Sequence, residues 1–149
     1  MEEQFATYEI ASKLRGLGFD EPCMAYWKEL PDKEPILLSE FVFDNSRSVY
    51  YTQSNGNEIS APLWQQVIDW FREKHNIHIH ISRIYQYSKT PRLFEGWCVY
   101  IDNGRDNSNL ECNDFFMKNF YQSYEEAREQ AILETIKIIE DRYERETRE

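Results

Sequence analysis

Cysteine is scarce in this chain: Cys23, Cys98 and Cys112 are all there is in 149 residues, an odd number without Cys-x-x-Cys spacing. That argues against a disulfide framework or a zinc knuckle and predicts three reduced thiols in a cytoplasmic setting. Long apolar runs are missing too. No run is longer than Trp97-Cys98-Val99-Tyr100-Ile101, which is far short of the roughly 20 residues that cross a bilayer. The opening Met1-Glu2-Glu3-Gln4 is acidic where a secretory signal is basic and then apolar, and Arg142 to Glu149 carries no lipidation box. A soluble cytoplasmic protein with no membrane partner is expected. Chemical signatures are equally sparse, with no G-x-S-x-G, no phosphate loop and no dinucleotide fingerprint. Gly16-Leu17-Gly18 follows a helix instead of opening one. The reading leans away from an enzyme and names no catalytic residue and no cofactor.

What is present is enough for a core. A chain of this length suits one domain over residues 1–149, with residues 144–149 expected to fray, and it needs no staple. Aromatic residues make up 15% of it, which is too rich for a disordered segment. The net charge of −10 is unevenly spread. Residues 1–71 carry 5 basic and 12 acidic groups, residues 72–105 carry 6 and 3, and residues 106–149 carry 6 and 12. The whole repels polyanions at long range while its middle is locally basic.

Periodicity places three helices. Thr7 is an N-cap ahead of Ile10, Leu14 and Leu17, and Gly16 and Gly18 offer a left-handed exit. Ser60 or Ala61 is read as the cap of a second helix, with Pro62 in its first turn and Leu63 to Lys74 following. Ser123 and Glu126 form a capping box for a third, whose face is Ala127, Ala131, Ile132, Thr135, Ile136, Ile139 and Tyr143. Strands are expected over Cys23–Trp27, Ile36–Phe43 and Val49–Thr52, with Pro31 and Pro35 bracketing a loop. Asp44-Asn45-Ser46-Arg47 and Ser54-Asn55-Gly56-Asn57 read as turns. Ile77 to Ser82 alternates strictly, Phe94 to Ile101 is its expected partner, and Phe115 to Tyr121 is a further candidate. The fold class is α+β: a two-layer, mostly antiparallel sheet against three amphipathic helices.

Three segments carry a resemblance: Gly18-Phe19-Asp20-Glu21-Pro22-Cys23, Ile59-Ser60-Ala61-Pro62 running into Gln66 to Arg72, and Tyr124-Glu125-Glu126-Ala127. They are similar to a family of small uncharacterised proteins encoded by gut Bacteroidetes, their prophages and phages. The resemblance implies an accessory protein of a bacterium or its mobile elements. It implies no activity and transfers no functional residue.

Two clusters stand out. His78 and His80, two apart on a strand, point to one face about 7 Å apart, and His75 lies nearby. Paired imidazoles suit a metal, even a metal-dependent hydrolase, yet a third ligand is not evident. Alternation alone explains them, with Ile77, Ile79 and Ile81 inward and the histidines outward. The second cluster, Arg83, Tyr85, Tyr87, Lys89, Arg92 and Trp97, interleaves cations and rings as single-strand binders do. Cross-strand packing accounts for it equally well. The Asp102 to Asp114 stretch fails the calcium-loop spacing and reads as a loop. A protein is the expected partner and nucleic acid the alternative, since the acidic total charge disfavours a polyanion.

Overall fold

The computed structural model describes residues 2–39, 57–86, 93–103 and 120–148. The turn at residues 44–47, the strand at 49–52, most of the turn at 54–57, Tyr87, Lys89, Arg92, Cys112 and nearly all of the 102–114 loop lie outside them. So does most of the Phe115–Tyr121 candidate strand. The fold is α+β, with antiparallel strand pairing throughout the described residues. The strands fall into two three-stranded sheets, and the chain divides into two compact units, residues 1–70 and 71–149.

In the first unit, α1 (Tyr8–Gly16) begins where Thr7 accepts a hydrogen bond from the Ile10 N–H, as an N-cap should. It ends in a Schellman turn: Gly18 at φ 86° lets the Phe19 N–H reach the Leu14 carbonyl and the Gly18 N–H reach Arg15. Leu14 and Phe19 are both buried, supplying the apolar contact of that motif. The left-handed exit is thus Gly18 alone, while Gly16 remains helical.

The sheet is ordered β2-β1-β3, built from β1 (Tyr26–Leu30), β2 (Lys33–Leu38) and β3 (Glu58–Ser60). This corrects the boundaries read from the prolines. The loop expected between Pro31 and Pro35 is mostly hairpin. Pro31 and Asp32, the latter at φ 57°, make the turn, and Pro35 stands within β2. Proline is tolerated there because β2 is an edge strand among the described residues, with ladder bonds to β1 alone. The strand expected to open at Cys23 instead begins at Tyr26.

A core of Phe5, Ala25 and Ala61 draws in Trp27, Leu37 and Leu63. The segment before α1 is stitched into it. Phe5 bridges Leu63, the Ala6 N–H bonds the Pro62 carbonyl, Trp27 Nε1 donates to the Ala6 carbonyl, and Trp64 Nε1 donates to Glu3. Pro62 therefore lies just before α2 (Trp64–His75), whose first bond runs from the Val67 N–H to the Leu63 carbonyl, so the cap position falls at Leu63 and not at Ser60 or Ala61.

Cys23 is buried beside Gln66, and burial, with Glu21 adding to it, pushes its thiol up to about 12. A thiolate is the reactive form. Native-state alkylation is expected to modify half-buried Cys98 before Cys23. Peptide mapping after a timed pulse of iodoacetamide checks this; equal rates would contradict it.

The second unit is ordered β4-β5-β6: β4 (His78–Gln86), β5 (Leu93–Asp102) and β6 (Phe120–Tyr121). It is covered by α3 (Tyr124–Glu146), which packs on β5, β4 and β6. Ser123 caps α3 by accepting from the Glu126 N–H, and Glu126 returns a bond to the Gln122 N–H, one residue earlier than the usual box. Val99, Ala127 and Ala131 form the core, joined by Ile79, Ile81, Trp97, Ile101 and Tyr121. The small alanines let α3 approach the sheet closely. Tyr143, expected on the buried face, is 44% exposed, its ring edge-on to His75 at 6.3 Å.

Ile79→Asp places an unpaired charge against this core and is expected to cost several kcal/mol. The paired change His78→Ala with His80→Ala, on the other face, is expected to shift stability by about 0.5 kcal/mol or less. Urea melts of the two variants check the contrast.

Candidate functional site on the second sheet

Strand alternation and register divide the second sheet into two unlike faces. Ile79, Ile81 and Arg83 of β4 lie opposite Ile101, Val99 and Trp97 of β5, and this side carries α3. On the reverse, His78, His80 and Ser82 oppose Asp102, Tyr100 and Cys98. The reverse face is the more open. His80 and Ser82 are exposed, as are Tyr100 (36%) and Phe120 (38%). His80 and Tyr100 lie with ring centroids 5.8 Å apart. No lysine or arginine stands among these residues.

Gly96 shapes this face. The β4–β5 register shifts between Ile84 and Tyr85, opposite Gly96 at φ 142°. An added Cβ would meet Phe120 Cε1 and the Tyr121 carbonyl oxygen, each at 2.5 Å. The glycine thus leaves room for the Phe120 ring to approach the β5 backbone.

At the edge of the helix-covered face, cations and rings form a chain. The Arg83 guanidinium carbon is 5.0 Å from the centre of the Trp97 ring system. Trp97 meets Tyr124 edge to face at 5.2 Å, and Arg128 lies 5.8 Å from the Tyr124 ring. Such contacts contribute about 0.5–1 kcal/mol each at exposed sites. Tyr121, beside them, has its phenol pushed up by burial and by the carboxylates of Glu134 and Glu126.

Of the residues singled out in the sequence, the fold brings Arg83 and Trp97 together. Tyr85 belongs to β4 beyond the register shift. His78 and His80 share the open face as expected, and His75 lies apart at the end of α2. No group of three His, Cys, Asp or Glu side chains that could hold a metal occurs among the described residues. Sequence reasoning missed Tyr124 and Arg128. Their i, i+4 spacing on α3 was the available signal, whereas their meeting with Trp97 is tertiary.

His75 is held by its surroundings. Its carbonyl accepts a 3.0 Å bond from Arg142, which also donates to the Asn103 carbonyl. Burial, then the nearby Arg142 charge, lowers the His75 pKa from its ordinary value. The neutral ring is therefore favoured on folding. As pH falls through 6.5 the unfolded chain takes up the proton first, so this group's contribution costs stability until the lowered folded pKa is passed. Melting temperature is expected to fall more steeply from pH 7.5 to pH 5 in the wild type than in His75→Gln. Parallel curves would contradict this.

Among the described residues no helix is long and apolar enough to cross a membrane. Compared with protein-family models, curated proteins and solved structures, the chain matches none. The functional reading therefore rests on the site.

Proposed function

We propose that the chain is a non-enzymatic accessory module, of a bacterium or its mobile elements, that binds a protein on the open face of the second sheet. The observation that carries this is the pair of exposed rings, Tyr100 and Phe120, on a face that holds no lysine or arginine among the described residues. Aromatic residues are enriched in protein interfaces, and charge is depleted at the interface centre. A polyanion would instead require cations there. The bacterial and mobile-element setting is supported by the resemblance of the Gly18–Cys23, Ile59–Arg72 and Tyr124–Ala127 segments, and a cytoplasmic location accords with the reduced-thiol reading.

A second reading has its own observation. The Arg83–Trp97–Tyr124–Arg128 chain combines ring platforms and cations, the elements that hold single-stranded nucleic acid. Affinity capture from the producing cells separates the two. The wild type is compared with the double variant Tyr100→Glu, Phe120→Glu and with Arg83→Glu, each first shown to be folded. Loss of one specific protein with the ring variant alone supports protein binding. Nuclease-sensitive recovery of nucleic acid, lost with Arg83→Glu, overturns it.

A further inference from the structure

Asn103, half-buried just past the end of β5, is followed in the sequence by Gly104. An asparagine ahead of glycine is prone to cyclise, because the glycine nitrogen can attack the asparagine side-chain carbonyl carbon with no side chain of its own in the way. That nitrogen reacts after losing its proton. The negative charge left behind is shared with the carbonyl oxygen of the same peptide group. Here that oxygen is the Asn103 carbonyl, and Arg142 Nη2 donates to it. A cationic donor aimed at the atom where charge develops is how oxyanions are stabilised in enzyme sites. Beside it lies a cavity of about 130 Å³ lined by Asn103, Ile138, Asp141, Arg142 and Arg145. A water needs roughly 10–15 Å³ of such space, so water has room to enter. Two guanidinium groups against one carboxylate make the lining net positive.

We propose that Asn103 is a site of spontaneous modification, converted to isoaspartate with Arg142 promoting the reaction. In the first step the Gly104 nitrogen, its proton lost to solvent, bonds to Asn103 Cγ. The side-chain amide takes up a proton and leaves as ammonia, which closes a cyclic imide. Water then adds to one of the imide carbonyls, the C–N bond there breaks, and the nitrogen regains a proton. Opening at Cγ gives aspartate, whereas opening at the former main-chain carbonyl gives isoaspartate. In the second case charge builds on the oxygen that Arg142 already holds, so isoaspartate is favoured. The product keeps its partner as well. The freed carboxylate stands on the carbon that bore the accepting oxygen, so a bond from Arg142 to a neutral carbonyl becomes an ion pair. The main chain meanwhile gains the Cβ atom of residue 103 at the end of β5. No binding partner is required, so this inference stands independently of the protein-binding reading.

The test is timed incubation of the full chain at mildly alkaline pH, followed by peptide mapping. Retention separates aspartyl from isoaspartyl peptides, and mass spectrometry counts both. A synthetic peptide of residues 99–107 in the same buffer has the Asn-Gly pair but lacks Arg142. Asn103 of the native chain is expected to convert about tenfold faster than in the peptide, the low end for one hydrogen bond to a charged group. Its isoaspartyl share is expected to be larger. Arg142→Gln, first shown by circular dichroism to be folded, should lose the excess in both, and Arg142→Lys should keep part of each. The share is read beside the rate because loosening the chain changes the rate alone. The comparison of wild type with peptide needs no variant to fold. Slower conversion in the native chain than in the peptide overturns the proposal. So does an isoaspartyl share that Arg142→Gln leaves unchanged.

Discussion

Gly96→Ala is expected to destabilise the second unit by roughly 2–4 kcal/mol, combining backbone strain at positive φ with overpacking. Two causes act together. The backbone at φ 142° lies where L side chains are rarely found, and the new methyl would strike both the Phe120 ring and the Tyr121 carbonyl. The ring can turn aside, but the carbonyl belongs to the β5–β6 ladder, where Trp97 pairs with Tyr121. Gly16→Ala is the matched control. Nothing lies within 4 Å of a Cβ there, and the residue is helical, so a gain of about 0.5–1 kcal/mol is expected. Urea denaturation of both variants reads the opposite signs; a neutral Gly96→Ala would show that β6 yields without cost.

Phe5→Ala is expected to cost about 3–5 kcal/mol, the range for removing a buried phenylalanine. Phe5 is 5% exposed at the centre of the first core, and its backbone bridges Leu63. The surrounding Ala25 and Ala61 are small and held in backbone hydrogen bonds, so they cannot fill the space. The loss is comparable with the whole stability of many domains, about 5–15 kcal/mol. Phe5→Leu keeps most of the volume and should lose less than about 1.5 kcal/mol if the ring's role is filling space. Trp27 and Trp64 donate to carbonyls on either side of Phe5, so tryptophan fluorescence during urea unfolding reports on this segment. An equal loss in both variants would point to a requirement for the ring itself.

The parts of the fold legible in the sequence were those where one physical cause dominates. Strict alternation over Ile77 to Ser82 fixed which β4 residues face the helix, and Ser123 with Glu126 marked the start of α3. Thr7 did the same for α1. Proline misled because its meaning depends on neighbours: Pro35 reads as loop until β2 is known to be an edge. The start of α2 misled likewise, because Pro62 serves the Ala6 N–H and stands before the helix instead of within its first turn. In the candidate site, Arg83 and Trp97 were visible as members of a basic aromatic stretch, but only the β4–β5 register makes them neighbours. The Gly96 distortion left no mark beyond a lone glycine in a strand, and the exposed position of Phe120 depends on it.

Arg142 has a consequence for the order in which the second unit assembles. It reaches back 67 residues to the His75 carbonyl and 39 to Asn103, tying together the end of α2 and the end of β5. β4 and β5 are neighbours in the chain and can zip together from local contacts, whereas the Arg142 bonds must first close separations of 67 and 39 residues. Bonds formed after the folding barrier retard opening without hastening closure. Arg142 is therefore expected to act as a late-set latch, so that how quickly this unit forms and how long it stays shut are governed from opposite ends of its sequence.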